Sequence, residues 1–128
     1  MHQSGKNYLQ TVLLLEKRNG TVRSVDVAKE LNYSKASVSR GITLLKKQKC
    51  IFVDESGFLK FTEDGRKIAE NIYEKYQILT NFFMFYANVN REKAEVDACN
   101  VEHIISQETF DGIKKCMKKN IEVIDKIS

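Results

Sequence analysis

The sequence lacks the features that would place it in a membrane, in a secretory route or in a disulfide-stabilised class. No apolar run approaches the roughly 18 to 20 residues that a membrane-spanning helix needs. The N-terminus, MHQSGKNYLQ, lacks the charged start and the apolar stretch of a signal peptide. Three cysteines are an odd number without framework spacing, so reduced thiols are expected. We therefore expect a cytoplasmic protein that does not contact a membrane.

The chain also has no internal repeat, low-complexity segment or obvious linker. Its 128 residues, 42% of them hydrophobic, can bury one sizeable core or two small ones. The charge is uneven, because residues 1–66 carry 12 Lys/Arg against 7 Asp/Glu, whereas residues 67–128 carry 9 against 10. An anionic partner would therefore bind the first half, although a surplus of five is also compatible with solubility alone.

Three helices are predicted in the first half. Apolar residues recur with helical spacing from Tyr8 to Leu15, and Asn19 and Gly20 then end this helix. The segment SVDVAKEL follows as a helix of about two turns. We expect Ser24 to be its N-cap, with an inward face formed by Val25, Ala28 and Leu31.

The turn NYS leads into a third helix. Ser34 can cap this helix, which is predicted to extend to about Lys49. Its buried stripe is formed by Val38, Gly41, Ile42 and Leu45. A short helix, a three- or four-residue turn and a second helix make a helix-turn-helix.

A small hairpin follows directly. Two β-prone runs, Ile51 to Val53 and Phe58 to Phe61, are separated by the turn-forming residues DESG. A helix-turn-helix followed by a hairpin is the order of a winged helix, whose second helix enters the major groove. We therefore predict a winged helix-turn-helix DNA-binding domain over residues 1–66.

The second half, residues 67–128, is predicted to be an all-α domain. Thr62 caps a helix of about six turns with apolar positions 68, 72, 76, 79, 83 and 86, and ANVN ends it. Asn90 and Ser106 cap two further helices, the last with Phe110, Ile113, Met117, Ile121 and Ile124 facing inward. The long helix carries more apolar residues, including Phe82, Phe83, Phe85 and Tyr86, than about 60 residues can cover, which predicts a homodimer. The fold class is mainly α with a small β-hairpin wing.

The outward face of the third helix is polar and basic. Arg40 is suited to bidentate contact with guanine, and residues near the helix N-terminus are suited to phosphates. A polar face on one helix is usually only solvated, but here the turn, the wing and the local charge agree on double-stranded DNA as the partner. The predicted contacts are Lys35, Ser37, Ser39, Arg40, Thr43 and Lys47, with Arg23 and Lys60 as weaker phosphate candidates.

The segment DACNVEH brings a thiol, a carboxylate and an imidazole close together. On a helix, Cys99, Glu102 and His103 would share one face, because they are spaced i, i+3 and i+4. This ligand set suits Fe(II), Co(II), Ni(II) or Zn(II) better than Mg(II) or Ca(II). On the residues alone, the alternative is that Cys99 is a small core residue and His103 a satisfied surface residue.

Two other functional hypotheses stay open at this point. Cys99 and His103 could form a catalytic pair in a small enzyme, but no orienting third group or oxyanion hole is evident. A dimeric winged-helix regulator could also have lost metal control, or could sense thiol oxidation through Cys99.

Three segments together resemble the metal-dependent repressors of the diphtheria toxin repressor and manganese transport regulator family. They are SVDVAKELNYSKASVSRGITLLKK, FTEDGRKIAENIYEKY and DACNVEHIIS, and with the residues between them they extend over nearly the whole chain. The resemblance implies a short member without the SH3-like domain, in which residues 67–128 form a helical metal-binding and dimerisation domain. It further implies a homodimeric repressor that binds palindromic operator DNA when Fe(II) or Mn(II) is bound.

The resemblance also implies a set of metal ligands. Glu102 and His103 match the Glu-His pair of the family, and Cys99 stands where iron-responsive members have Cys, which favours Fe(II) over Mn(II). Asn7 falls where a Met or Asp from the DNA-binding domain completes the site, and Gln10 occupies the position of a Glu ligand in manganese members. Tyr76 replaces a histidine of the family and lies on the apolar stripe, which favours a role in core packing.

Overall fold

The computed structural model describes the backbone of residues 3–127 and the side chains of residues 4–119. These residues form two compact units, of which the first ends at Ile72 and the second begins at Tyr73. No helix in the described part of the chain is long and apolar enough to cross a membrane. In chain order, the elements are α1 Gln3–Asn19, α2 Ser24–Leu31, α3 Lys35–Lys47, β1 Ile51–Val53, β2 Leu59–Phe61, α4 Glu63–Tyr86, α5 Arg91–Val101 and α6 Gln107–Ile127.

The first unit has the helix-turn-helix and hairpin expected of a winged helix. Ser34 caps α3 by accepting a hydrogen bond from the Ser37 N–H at 3.1 Å. The strands pair antiparallel, with Ile51 opposite Phe61 and Val53 opposite Leu59. Fully buried side chains from every part of the unit form its core, among them Leu9, Leu13, Val22, Val27, Val38 and Leu45.

The start and the phase of α2 differ from the sequence prediction. Arg23, not Ser24, is the N-cap, because the Asp26 carboxylate accepts the Arg23 backbone N–H at 2.9 Å and fixes that residue in an extended conformation. Val25 was predicted to face inward and is 39% exposed, whereas Val27 takes the buried position. Ala28 is buried as expected, and Leu31 is half-buried.

Glycine at position 65 allows α4 to start against the preceding segment. The Thr62 hydroxyl accepts the Gly65 N–H at 3.0 Å and donates to the Lys49 carbonyl oxygen at 2.6 Å. A Cβ at Gly65 would lie 1.8 Å from the Cys50 carbonyl oxygen. The prediction that Thr62 caps this helix is confirmed by the first of these contacts.

The regular elements in the described residues of the second unit are all helices, joined by short turns. Leu79, Ala98 and Phe110 form the buried centre, and half-buried apolar side chains, including Tyr76, pack around it. Asn90 caps α5 through Lys93 N–H, and Ser106 caps α6 through Thr109 N–H, as predicted. Of the apolar positions predicted to face inward, Tyr86 is exposed, as is Ile68 in the first unit, and the side chains of Ile121 and Ile124 lie outside the described residues.

Candidate metal centre and nucleic-acid interface

The predicted metal ligands of the second unit come together in the structure. One donor atom from each of Cys99, Glu102 and His103 lies within 4.8 Å of the others. A zinc-like ion binds nitrogen, oxygen and sulfur at about 2.0 to 2.3 Å, so neighbouring ligands of one ion lie about 3 to 4 Å apart. The three donor atoms would therefore have to move closer together by up to about 1 to 2 Å to surround a first-row transition ion.

The end of α5 sets this geometry. The helix ends at Val101, so Glu102 and His103 lie just beyond it and not within it as the sequence predicted. Glu102 nevertheless keeps helical dihedral angles, and its N–H donates to the Ala98 carbonyl oxygen at 3.0 Å. The helical spacing from Cys99 is thereby retained.

Burial distinguishes this group from an ordinary surface cluster. The Glu102 side chain is 2% exposed and that of His103 is 4% exposed, with Glu102 Oε1 and His103 Nε2 3.6 Å apart. Burying a carboxylate costs free energy unless a cation or hydrogen-bond donors compensate it. A divalent ion would supply this compensation, and the donor set of thiol, carboxylate and imidazole fits such an ion.

The cysteine of the group is a protonated thiol at neutral pH. Burial raises the pKa of Cys99 above its ordinary value, and the nearby Glu102 carboxylate raises it further. An ion that binds here as a thiolate complex must therefore displace a proton.

Three further sequence-predicted residues lie on α1 and α4. Asn7 and Gln10 are on α1 in the first unit, where Gln10 is buried and the Asn7 carbonyl oxygen accepts the Thr11 hydroxyl at 2.8 Å. Their part in a metal site stays a prediction. Tyr76, on α4, packs against the core of the second unit, as its position on the apolar stripe indicated.

The predicted DNA-contacting face of α3 is accessible. Lys35, Ser39 and Arg40 are exposed, as are Thr43 and Lys47. Ser37 is half-buried, and its hydroxyl oxygen accepts hydrogen bonds from Ser34 Oγ at 3.0 Å and from Arg40 Nη2 at 3.4 Å.

Tyr8 supports this helix from α1. Its ring fills the space beside Gly41, where a Cβ would lie 2.3 Å from Tyr8 Cε2, and its hydroxyl donates to the Ser37 carbonyl oxygen at 3.3 Å. The glycine predicted to lie on the buried stripe thus allows an aromatic ring to pack directly on the α3 backbone.

Sequence reasoning missed a groove beside the predicted face. This groove has a volume of about 370 Å³ and lies between α2, α3 and β1. Four of its lining residues are not among the predicted DNA contacts: Ser24, Val25, Lys46 and Val53. Lys46 could have been found from helical spacing, because Ser39, Thr43 and Lys46 follow i, i+4 and i+7. Val25 and Val53 come from other elements, so no local pattern connects them to α3.

One protein-family model matches the end of the first unit and most of the second. Residues 62–121 match the model of the iron dependent repressor, metal binding and dimerisation domain. An HTH-type transcriptional regulator of Methanocaldococcus jannaschii is 25% identical over 120 residues, which cover 93% of this chain and 96% of that protein. The transcriptional regulator MntR of Escherichia coli O157:H7 is 29% identical over 114 residues, which cover 89% of this chain and 73% of MntR.

Solved structures show the same fold. The manganese regulator SloR superposes with a TM-score of 0.80 at 20% identity, over 92% of this chain and 55% of SloR. IdeR of T. acidophilum gives a TM-score of 0.79 at 19% identity, over 88% of this chain and 53% of IdeR. The chain thus spans about half the length of these solved proteins.

The named relatives are transcriptional regulators and not enzymes. This excludes the hypothesis of a small enzyme with Cys99 and His103 as its catalytic pair. The matched domain model, the regulators and the shared fold agree with one another. The chain is thus similar to metal-dependent transcriptional repressors, in sequence to the iron dependent repressor domain over residues 62–121 and in fold over most of its length.

Proposed function

We propose that the protein is a homodimeric repressor whose affinity for operator DNA rises when one divalent transition ion binds. The observation that carries this proposal is that Cys99 lies together with the buried side chains of Glu102 and His103 in a chain that also has a winged helix. Residues 1–66 would bind DNA, and residues 67–128 would bind the metal and form the dimer.

The ion would be held by ligands from both domains. Cys99, Glu102 and His103 supply the second domain's ligands, and the Asn7 amide oxygen from α1 completes the site, with Gln10 one turn further along. Such an ion ties α1 to the dimerisation domain, which favours one spacing of the two α3 helices in the dimer. Metal and DNA must then strengthen each other's binding, because coupling between two sites is reciprocal.

The ligand set favours Fe(II) over Mn(II). A cysteine sulfur is a softer ligand than the carboxylate and water oxygens that suit Mn(II), and divalent affinity generally rises from Mn(II) to Fe(II). We therefore expect Fe(II) and its stable substitute Co(II) to bind more tightly than Mn(II).

DNA would be bound by the exposed face of α3 and by the wing. Arg40 reads a base edge, and the remaining polar side chains contact phosphates and flanking base edges. The proposed contacts are Lys35, Ser37, Ser39, Arg40, Thr43 and Lys47, with Arg23 and Lys60 toward the hairpin.

The raised pKa of Cys99 weighs against a sensor of thiol oxidation. Thiolates react with oxidants much faster than thiols do, and burial together with Glu102 keeps this sulfur protonated. Of the two metal-independent alternatives, a regulator that responds to neither signal is therefore the stronger competitor.

Metal titration of purified protein tests the metal site. Under anaerobic reducing conditions, Co(II) should bind one ion per protomer and give a thiolate-to-cobalt charge-transfer band. Cys99→Ala should abolish the band, and His103→Ala should weaken binding by at least about tenfold, the range seen when metal-site partners are lost.

The chain provides a matched control for each variant. Cys116→Ala removes another half-buried thiol, and His2→Ala removes the only other histidine in the sequence. If either control weakened Co(II) binding as much as its partner variant, the ion would not bind at the proposed group.

A further inference from the structure

Two cations of the first unit converge on one aromatic ring of the wing. The Arg23 guanidinium carbon lies 4.3 Å from the centroid of the Phe58 ring, and Lys60 Nζ lies 5.9 Å from the same centroid. Arg23 precedes α2, Phe58 belongs to the wing turn and Lys60 is in β2. A contact between residues 35 positions apart in sequence thus places two positive charges at the wing.

The turn that holds the ring is itself firmly fixed. The Asp54 carboxylate accepts the N–H groups of Ser56 and Phe58, each at 2.9 Å, and the Asp54 carbonyl oxygen accepts that of Gly57 at 3.0 Å. The Leu59 N–H donates to the Val22 carbonyl oxygen at 2.7 Å and joins β2 to the segment just before Arg23. The ring and the arginine are therefore positioned by the same hydrogen-bonded framework.

Gly57 shows how closely the guanidinium lies on this turn. Its φ of +84° is a conformation that favours glycine, and a Cβ there would lie 2.9 Å from Arg23 Nη1. Glycine thus both forms the turn and leaves the space that the arginine occupies.

Arg23 differs in its contacts from other arginines of the protein. Arg18 pairs with Glu30 at 3.2 Å. Arg66 also lies over a ring, 5.1 Å from the Phe61 centroid, but it pairs with Glu16 at 2.9 Å, so carboxylates neutralise these two charges. An aromatic ring attracts a guanidinium without neutralising it, and stacking uses the flat face while the N–H donors point outward in the plane. A guanidinium held over a ring therefore keeps its positive charge and can donate hydrogen bonds to a phosphate.

We propose that Phe58 is a positioning residue that holds Arg23 and Lys60 as a two-cation clamp for a phosphodiester group of duplex DNA. The inference rests on the proposed DNA-binding function and adds to it a residue that does not itself carry charge. An arginine already ordered on a ring loses less conformational entropy on binding than a freely moving one, so the ring strengthens binding without contacting DNA.

Binding to a random-sequence duplex at low salt tests the clamp, because phosphate contacts are independent of sequence. Four proteins are compared: the parent, Phe58→Leu, the double variant Arg23→Ala/Lys60→Ala, and the triple variant. Phe58→Leu should weaken binding roughly 2- to 10-fold in the parent, the range expected for one side chain that must be ordered on binding. In the background without the two cations, it should have no further effect.

Phe58→Tyr is the conservative control, since it keeps the aromatic face and should keep parent affinity. Replacing both cations should also lower the slope of log affinity against log salt by about 2, one for each cation that no longer neutralises a phosphate. Equal losses from Phe58→Leu in both backgrounds, or no loss in either, would overturn the clamp. A parent protein that fails to bind duplex at low salt would instead contradict the proposed DNA-binding function itself.

Discussion

The two units of the protein place their functional residues in opposite environments. The first unit has a large apolar core and carries most of its proposed DNA contacts on exposed surfaces, with Ser37 and Lys60 half-buried. The second has a smaller buried centre, of Leu79, Ala98 and Phe110, and buries the Glu102 and His103 side chains of its proposed site. Substitutions of the proposed DNA contacts should therefore lower DNA affinity without changing the free energy of unfolding. Substitutions of the proposed metal ligands should change both metal affinity and the free energy of unfolding.

The units also differ in how their exposed apolar side chains are distributed. In the second unit, Phe85 is 60% exposed and its ring contacts that of Tyr86, which in turn contacts Phe82. In the first unit, the exposed large apolar side chains are spread over α2, the turn after it, α3, β1 and α4: Val25, Tyr33, Leu44, Phe52, Val53 and Ile68. This contrast predicts that the dimer forms through the second unit.

The largest expected effect is on the proposed homodimer. Phe85→Lys should weaken it by about 3 to 6 kcal/mol, because a two-fold interface loses two aromatic side chains at about 1.5 to 3 kcal/mol each. Sedimentation equilibrium at micromolar concentration measures the change, with Phe52→Lys as the matched control. A parent that is monomeric under these conditions, or a control that dissociates as readily, would contradict the contrast between the units.

The next effect concerns the fold of the first unit. Gly65→Ala should lower its free energy of unfolding by about 2 to 3 kcal/mol, because the new Cβ would collide with the Cys50 backbone and not with a flexible side chain. Gly112→Ala in α6 is the matched control, because no atom of the described residues lies within 4 Å of the position of the new Cβ. The higher helix propensity of alanine should stabilise this variant by up to about 1 kcal/mol. Thermal unfolding measures both variants. If the unfolding temperatures of Gly65→Ala and Gly112→Ala shifted in the same direction, the proposed collision with the Cys50 backbone would be wrong.

A smaller change, in DNA affinity, should distinguish side chains of α3 that contact bases from those that contact phosphates. Arg40→Ala should cost about 1 to 3 kcal/mol of affinity for a selected operator and relax preference at one base position, whereas Lys47→Ala should weaken all sequences alike. Titrations on variant duplexes at fixed salt separate the two, and unfolding of both variants should match the parent. If Arg40→Ala loses as much affinity for random as for operator DNA, that side chain contacts only phosphate.

The smallest effect is the pH dependence of metal binding. Because the pKa of Cys99 is raised, the thiol is protonated at neutral pH and binding releases its proton. Apparent Co(II) affinity should therefore increase with pH, by about tenfold, or about 1.4 kcal/mol, per pH unit for that proton. In Cys99→Ala, the slope of log Co(II) affinity against pH should fall by about one, because one proton fewer is released. An unchanged slope would mean that the sulfur is not a ligand.

Most of the fold could be predicted because its signals are local. Ser34, Asn90 and Ser106 were identified as caps from their side chains and the apolar spacing that follows them, and the structure confirms all three. The start of α2 was wrong by one residue, since Asp26 stabilises an earlier start by accepting the Arg23 N–H. Two turns of helix give too few apolar positions to fix the inward face, and this explains the error at Val25 and Val27.

The candidate site could be predicted only in part, for a physical reason. Helical spacing was enough to group Cys99, Glu102 and His103, although no Gly or Pro marks the end of α5 at Val101. Burial of Glu102, by contrast, depends on packing that no local pattern shows. The ring of Phe58 beneath Arg23 depends on a contact between distant segments, so the sequence offered only a β-prone residue there.

The central claim is that metal binding in the second unit controls DNA binding by the first. Its most direct test is the affinity for an operator selected from a randomised duplex library, measured anaerobically with excess Co(II) and with chelator, for the parent, His103→Ala and the control His2→Ala. We expect metal to raise the affinity of the parent and of His2→Ala by roughly 5- to 150-fold, a typical coupling of about 1 to 3 kcal/mol, and to leave His103→Ala unchanged. Parent affinity that is the same with metal and with chelator would contradict metal control and leave a metal-independent regulator in its place.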